Sequence, residues 1–182
     1  MVLTPSVLAL GRAEPVSLVV LIGASGSGKT TIARAIAALP CAMANVFHFD
    51  SIGVPPEEDM IRRHGSGEAW QRAMTVEWML RLAAKSAAAE RILLEGQTRF
   101  SFLREGALAA GDLAYVPVLI DCDDATRSAR LTDQRQQPEL ASVEMMNWAR
   151  FLREQARVGG YPMLDTSALS VSESVQRVLE HF

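Results

Sequence analysis

Five short apolar runs, separated by longer amphipathic segments, dominate the chain. The first, residues 16–22, is apolar at every position except Ser17, which is typical of a strand buried on both faces. Four further runs predict strands at residues 44–49, 91–95, 115–120 and 162–165. Between the runs, apolar residues recur at helical spacing, which predicts helices at residues 31–39, 57–63, 68–89, 100–110, 125–134, 142–157 and 172–180.

Strands that alternate with helices predict an α/β fold, a three-layer α/β/α sandwich around a five-stranded parallel sheet. Pro117 lacks an N–H donor, so it must lie near the start of its strand or at a bulge. At 182 residues the chain is most simply one domain, 1–182. Ligands of open α/β sheets lie beyond the carboxyl ends of the strands, so functional residues are expected there.

The longest predicted helix carries large apolar residues every four positions, at Trp70, Met74, Trp78 and Leu82. Helical periodicity explains this stripe as core packing, which we prefer to a ligand platform.

Composition and charge exclude several classes of protein. With 49% hydrophobic and 21% charged residues the composition is that of a globular protein, and the net charge of −3 argues against a nucleic-acid partner. No apolar run approaches the roughly 20 residues that cross a membrane. Cys41 and Cys122 form no CxxC spacing, which favours reduced thiols in a cytoplasmic protein. Residues 1–12 are interpreted as a lead-in or short helix packed on the domain.

Residues 23–30, GASGSGKT, match the G-x-x-x-x-G-K-[ST] phosphate-binding loop and lie between a predicted strand and a predicted helix. Glycines let backbone N–H groups surround a phosphate, and the helix N-terminus favours an anion. The lysine can reach the outer phosphates, and the threonine hydroxyl can bind Mg²⁺. The motif predicts that a nucleoside triphosphate is bound by Gly23, Ala24, Ser25, Gly26, Ser27, Gly28, Lys29, Thr30 and Thr31.

Carboxylates follow two of the other predicted strands. Asp50 ends the second strand and Glu95 ends the third, so both are expected at the same edge of the sheet as the loop. A carboxylate beside an acceptor hydroxyl can act as a base or position the nucleophile, although Asp50 is also a residue type that caps turns. For His48, which has no second ligand nearby in sequence, we expect a packing role.

The motif and the order of elements resemble the nucleoside-monophosphate-kinase-like branch of P-loop proteins, which includes adenylate, gluconate, shikimate and chloramphenicol kinases. The resemblance covers residues 16–182. It implies a P-loop kinase fold with a small helical lid, the cofactors ATP and Mg²⁺, and a role for Asp50 at the acceptor hydroxyl.

Residues 95–99, EGQTR, resemble the Asp-Gly-Phe-Pro-Arg segment of adenylate kinases in spacing. The resemblance implies that Glu95 orders a metal-bound water and that Arg99 grips a phosphate or carboxylate of the acceptor. Gln97 is a candidate acceptor contact. Because the Phe-Pro pair is replaced, a non-nucleotide acceptor is favoured.

The remaining candidates are arginines and one loop. Arg130 and Arg135 resemble the Arg-Leu-x-x-Arg pattern of related kinases with one extra residue, which implies a lid at about residues 127–157 that stabilises the transition state. Arg127 belongs to the same cluster; Arg150 and Arg153 are left open, and Arg157 is predicted on a solvated face. The insert at about residues 51–67, with Arg62 and Arg63, is predicted to cover the acceptor. Similar kinases contact adenine at the position of Asp165 and Thr166.

The sequence therefore predicts an ATP- and Mg²⁺-dependent phosphotransferase, with Lys29, Asp50, Arg130 and Arg135 as its catalytic residues. The expected acceptor is a non-nucleotide metabolite, a sugar or an antibiotic, with a nucleoside monophosphate as the alternative. A nucleotide-dependent switch acting on a protein partner is the rival from another class; no N-K-x-D tetrad of GTPases is present. Neither a membrane nor a nucleic-acid partner is expected, and the protein is predicted to be a monomer or a homodimer.

Overall fold

The computed structural model describes residues 18–40, 44–86 and 90–182. Five strands form one sheet: β1 Leu18–Ile22, β2 Asn45–His48, β3 Ile92–Gly96, β4 Val116–Asp121 and β5 Met163–Asp165. Their order is β2-β3-β1-β4-β5, and every neighbouring pair is parallel. The predicted α/β class with a five-stranded parallel sheet is confirmed.

Helices connect the strands. They are α1 Lys29–Ala37, α2 Glu57–His64, α3 Gly67–Ser86, α4 Phe100–Ala109, α5 Asp124–Ala129, α6 Val143–Gly159 and α7 Val171–Leu179. Short 3₁₀ turns occupy Phe49–Ile52 and Pro138–Leu140, and a π-helical turn, Arg130–Gln134, continues α5.

The alternation along β1 sorts the core into two layers, because successive side chains point to opposite faces of the sheet. Leu18, Val20 and Ile22 pack with buried residues of α3, α4 and α6. Val19 and Leu21 pack with buried residues of α1 and α7. The sheet is therefore covered on both faces, which explains why its central strands are apolar at nearly every position.

The apolar stripe of α3 contributes to the first of these layers. Trp70, Trp78 and Leu82 are buried, and Met74 packs against them, so the core-packing prediction is confirmed. Trp78 Nε1 also donates a hydrogen bond to Phe49 O at 3.0 Å, which ties α3 to the turn after β2.

Two elements differ from their predicted form. The second strand ends at His48, and Phe49 to Ile52 form a 3₁₀ turn, because Phe49 is buried beneath α3 and bends the chain away from the sheet. The helix predicted at residues 125–134 is α-helical only to Ala129, after which it widens into the π-helical turn. Pro117 is the second residue of β4, as expected near a strand start.

Several predictions fall on residues outside the described ranges: the lead-in at residues 1–12, the start of the first strand, Cys41, and the last turn of the helix predicted to residue 89. Cys122 is buried and forms no disulfide with any described residue. In the described part of the chain, no helix is both long and apolar enough to span a bilayer.

Candidate active site

The phosphate loop, residues 23–30, leads from β1 into α1. Gly26 and Gly28 have φ angles of +78° and +99°, which residues with side chains rarely adopt. A Cβ atom on Gly23 would lie 2.2 Å from the backbone oxygen of Ile120 at the end of β4, so no side chain fits there. The glycines of the motif are thus required by the turn and by close approach to a neighbouring strand.

Lys29, the first residue of α1, lies folded against the loop. It is 7% exposed, and its Nζ donates a hydrogen bond to Ala24 O at 3.1 Å. Burial lowers the pKa of Lys29 to about 8; the Glu95 carboxylate opposes this change, and the Arg127 and Arg135 guanidinium groups add to it. A bound phosphate would favour the charged ammonium, so the side chain is placed to gain an anionic partner.

A hydroxyl, a carboxylate and an imidazole meet beside the loop. Glu95 is 6% exposed, and Thr30 Oγ1 lies 3.2 Å from both of its carboxylate oxygens. His48 Nδ1 lies 2.7 Å from Glu95 Oε1. This contact corrects the packing role predicted for His48, and its cause is the parallel register that pairs His48 with Glu95 across β2 and β3.

The Thr30 and Glu95 oxygens fit the metal expected there. In the described part of the chain, no group of three or more His, Cys, Asp or Glu could hold an ion without other ligands. Mg²⁺ is usually bound by one or two protein oxygens together with water and substrate phosphates, so a hydroxyl and a carboxylate at the loop suffice.

The phosphate-loop cavity, about 580 Å³ in volume, gathers most of the predicted nucleotide-binding residues. Its lining includes Gly26, Gly28, Lys29, Thr30, Thr31, Arg130, Arg135 and Thr166. Arg34 adds a fourth positive charge, and no carboxylate lies among the described lining residues. Gly23, Ala24, Ser25 and Ser27 form the body of the loop and not the cavity surface. This cavity suits a polyanion.

Arg130 is bonded to the loop and to the end of β5 at once. Its Nη1 donates to Thr166 Oγ1 at 2.8 Å and to Gly26 O at 3.3 Å, and its Nη2 donates to Thr166 O at 2.8 Å. Asp165, predicted beside Thr166 as a nucleotide contact, is exposed and instead accepts a hydrogen bond from Ser167 N at 2.8 Å. The structure therefore brings Thr166, and not Asp165, to the cavity.

Arg127 lies beneath the loop and not on its outer side. It is fully buried, and its Nη1 donates to Ser25 O at 2.8 Å while its Nη2 donates to Asp121 Oδ1 at 2.6 Å. The other Asp121 oxygen accepts from Arg153 Nε at 2.6 Å. The placement of Arg127 with the lid arginines is thereby corrected. Arg153, whose role the sequence left open, is partly exposed and bonds to the same buried carboxylate. Arg157 pairs with Glu154 on an exposed face, as predicted.

The bounds predicted for the lid, about residues 127–157, reach into the core at both ends. Arg127 is buried at one end, and Leu152 and Ala156 are buried at the other. Arg135 and the turns that follow it are exposed. Closure of this exposed stretch over a ligand remains a prediction.

A second space, the Arg99 cavity of about 490 Å³, is lined by Asp50, Gln97 and Arg99 together with aromatic and carboxylate side chains. Asp50 lies in the 3₁₀ turn after β2 and is exposed. Gln97 Nε2 donates to Ser25 Oγ at 3.0 Å, which links this cavity to the phosphate loop. Three of the residues predicted to bind the acceptor thus meet at one place.

Arg62 and Arg63 lie apart from those three. Both are exposed, neither lines either cavity, and Arg62 Nη2 donates to Asp59 Oδ1 of its own helix at 2.6 Å. Helix α2 begins with three acidic residues and ends with basic ones, so its charges pair along the helix. Their predicted contact with the acceptor is not supported by this arrangement.

Arg99 already has partners. Its Nη2 donates to Glu68 Oε2 at 2.7 Å, and its Cζ lies 5.0 Å from the ring centre of Phe151, 5.5 Å from that of Trp148 and 5.6 Å from that of Phe102. Cation–π contacts of this kind hold a guanidinium in a fixed position. Arg99 Nε is buried and has no hydrogen-bond partner among the described residues.

Comparison with known proteins identifies the fold. No protein-family model and no curated protein sequence matches the chain. Among solved structures, a sugar kinase from Janibacter sp. HTCC2649 matches with a TM-score of 0.62 and 19% identity, over 91% of this chain and 94% of that chain. Shikimate kinase from Acinetobacter baumannii matches with a TM-score of 0.60 and 15% identity, over 91% and 92%. A gluconokinase from Sinorhizobium meliloti matches with a TM-score of 0.60 and 19% identity, over 93% of each chain.

The chain has the fold of the P-loop small-molecule kinases.

Within this fold, sequence reasoning missed the partners of the residues it identified. His48, Asp121 and Glu68 each bond to a predicted or suspected site residue, yet none belongs to a motif. The adjacency of β2 and β3 would have pointed to His48, because it faces Glu95 in the register. No sequence signal pointed to Glu68, which meets Arg99 across 31 positions of the chain.

Proposed function

We propose that the chain is an ATP- and Mg²⁺-dependent phosphotransferase that moves the γ-phosphoryl group of ATP to a hydroxyl of a small molecule. The observation that carries this proposal is the presence of two cavities beside the phosphate loop. One is lined by Lys29, Arg130 and Arg135, and the other is lined by Asp50 and by Gln97, which donates a hydrogen bond to Ser25 in the body of the loop. A transferase needs two adjoining sites, whereas a nucleotide-hydrolysing switch needs only one.

The roles follow from the contacts. The loop and Lys29 hold the phosphates, while Thr30 and Glu95 hold the metal shell, Glu95 through an ordered water. Bound Mg²⁺ would supply positive charge that offsets the charge of the phosphates during transfer. Arg130 and Arg135, which also line the phosphate-loop cavity, stabilise the same charge.

Asp50 receives the acceptor hydroxyl. Its carboxylate accepts a hydrogen bond from that hydroxyl and takes its proton as the oxygen bonds to the γ-phosphorus and the bond to ADP breaks. Its exposed position on the short turn after β2 leaves room for an acceptor to approach. His48 supports the other carboxylate of the site by bonding to Glu95.

The acceptor is proposed to be a non-nucleotide molecule. The kinases of similar fold are described as acting on a sugar, on gluconate or on shikimate. In addition, Arg62 and Arg63, which would have suited a phosphorylated acceptor, lie outside the Arg99 cavity.

The test is acceptor-dependent transfer from γ-labelled ATP in the presence of Mg²⁺. The panel contains sugars, hydroxy acids, hydroxylated antibiotics and nucleoside monophosphates, and labelled product is separated from inorganic phosphate. We expect product with a non-nucleotide acceptor, none with Lys29→Ala, and unchanged product with Arg157→Ala, whose side chain lies in an exposed ion pair. Label released only to water supports the switch, and label transferred only to monophosphates supports a nucleoside monophosphate kinase.

A further inference from the structure

We propose that the acceptor is a hydroxylated molecule with an apolar ring and without a phosphate or carboxylate group. This inference rests on the proposed function, because it assigns the Arg99 cavity to the acceptor. It also departs from the expectation that Arg99 grips an anion. Three observations support it: the charge of the cavity, the partners of Arg99, and the character of the walls.

The two cavities differ in the sign of their charge. Four basic side chains and no carboxylate line the phosphate-loop cavity within the described chain. The Arg99 cavity is lined by four carboxylates and one guanidinium, a formal charge of −3; the acids are Asp50, Glu68, Glu139 and Glu144. Positive charge is therefore concentrated where ATP is proposed to bind, and an anionic acceptor would be repelled from its own cavity.

Arg99, the one basic side chain among the described residues that line this cavity, is engaged elsewhere. Its Nη2 donates to Glu68 at 2.7 Å, and the centres of three aromatic rings lie within 5.6 Å of its Cζ. Its side chain is 26% exposed, so little of it remains for a ligand. An anion would have to displace the Glu68 carboxylate to obtain the fork-shaped contact that makes arginine a good carboxylate ligand.

The walls of the cavity are suited to an apolar ring. Phe49, Trp70, Met145 and Trp148 line it, and the Trp148 ring stacks on Phe151 at 5.4 Å between centres. Trp70 meets the Phe49 ring edge-on at 6.2 Å, so the two form one fixed wall. Phe49 and Trp70 are buried behind this surface, so the half-buried Trp148 and Met145 provide the accessible apolar area that a ring-shaped ligand would contact. Gln71 and Gln97 provide polar groups for hydroxyls without adding charge.

Three probes with one carbon skeleton test the proposal by binding alone. They are 1-phenyl-1,2-ethanediol, which is neutral, 2-amino-1-phenylethanol, which is cationic, and mandelate, which is anionic. Ligand-observed NMR titrations of the full chain give their dissociation constants, and a parallel assay follows their phosphorylation by ATP. We expect the diol and the amine to bind at least about tenfold more tightly than mandelate, since the repulsion between like charges near a protein surface is at least this large.

Glu68→Gln supplies the second measurement. It frees the Arg99 guanidinium, so we expect mandelate to bind several-fold more tightly while the diol is unchanged. Glu77→Gln is the matched control, because Glu77 lies on the same helix in an exposed pair with Arg81, 2.7 Å apart, and does not line the cavity. It should alter none of the three affinities.

Mandelate binding as tightly as the diol, or failure of the diol to bind, would overturn the inference. The proposed function is judged separately, since binding needs no turnover. Selective binding of the diol with label passing only to water would contradict the kinase, and with it the assignment of an acceptor, while it would retain the preference of the Arg99 cavity for a neutral ring-bearing ligand. Transfer of label to mandelate or gluconate, and not to the diol, would retain the kinase and contradict the inference.

Discussion

The two cavities at the carboxyl end of the sheet are built from different kinds of contact. Around the phosphate loop, side chains bond to the backbone: Lys29 to Ala24 O, Arg127 to Ser25 O and Arg130 to Gly26 O. At the Arg99 cavity, the basic side chain instead bonds to another side chain, Arg99 to Glu68. The contacts with the backbone determine the conformation of the phosphate loop. The contact between side chains determines which charged groups the Arg99 cavity presents to a ligand.

Because of this difference, nucleotide binding and acceptor choice are expected to depend on different parts of the proposed enzyme. Nucleotide binding depends on a backbone turn supported from below by a buried ion network, so changes there should affect phosphoryl transfer to every acceptor. Acceptor choice depends on side chains that can be exchanged without moving the backbone. Substitutions on the two sides are therefore expected to have different signatures, and the following four predictions test this.

Lys29→Ala is expected to have the largest effect. Removing the ammonium from the phosphate-loop cavity should reduce turnover by about 10³- to 10⁵-fold, in the range found when a charge that stabilises phosphoryl transfer is lost. Steady-state kinetics with the best acceptor measures the loss. Circular dichroism should show an unchanged fold, because the lysine bonds only to a loop carbonyl. Retained turnover would show that this loop is not catalytic.

Asp50→Asn should reduce transfer by about 10²- to 10⁴-fold while ATP affinity stays as in the wild type. The carboxylate lies on the acceptor side and does not line the phosphate-loop cavity. Steady-state kinetics measures the change in turnover, and calorimetry measures ATP affinity in the same variant. An equal loss of both would place Asp50 among the residues that hold the nucleotide or its metal.

Arg127→Met should lower the free energy of unfolding by about 3 kcal/mol, since removing one partner leaves the Asp121 carboxylate buried with a single remaining arginine. Urea denaturation measures this change. The control is Arg157→Met, whose exposed pair with Glu154 should contribute no more than about 1 kcal/mol. Similar losses of unfolding free energy in the two variants would contradict the idea that the Arg127–Asp121 ion pair stabilises the phosphate loop.

Gln97→Leu is expected to have the smallest effect and tests the connection between the cavities. It removes the hydrogen bond to Ser25 Oγ, which corresponds to about 1 kcal/mol or roughly a fivefold rise in acceptor KM. The KM for ATP should change less. A larger change on the ATP side would show that Gln97 serves the loop more than the acceptor cavity.

More of the phosphate-loop cavity than of the Arg99 cavity could be predicted from the sequence. The phosphate loop is contiguous in the chain, so its glycines, Lys29 and Thr30 are visible as a motif, and the fold that surrounds it follows from apolar runs alternating with helices. The Arg99 cavity gathers residues from positions 49 to 148. Asp50 was found because it follows a strand, and Arg99 because its segment resembles one of adenylate kinases. Glu68 and Trp148 lie on helices and carry no comparable signal.

By itself, the sequence determined the α/β class, the parallel sheet and the phosphate-binding loop, because these depend on local periodicity and on residues adjacent in the chain. Only the tertiary structure decided which partners the charged residues take. In the folded chain, Arg127 is buried against Asp121, and His48 bonds to Glu95. Arg62 pairs with Asp59 of its own helix, and Arg99 pairs with Glu68. The physical reason is that the effect of a charge depends on burial and on neighbours a few ångströms away, and folding brings those neighbours from distant parts of the chain.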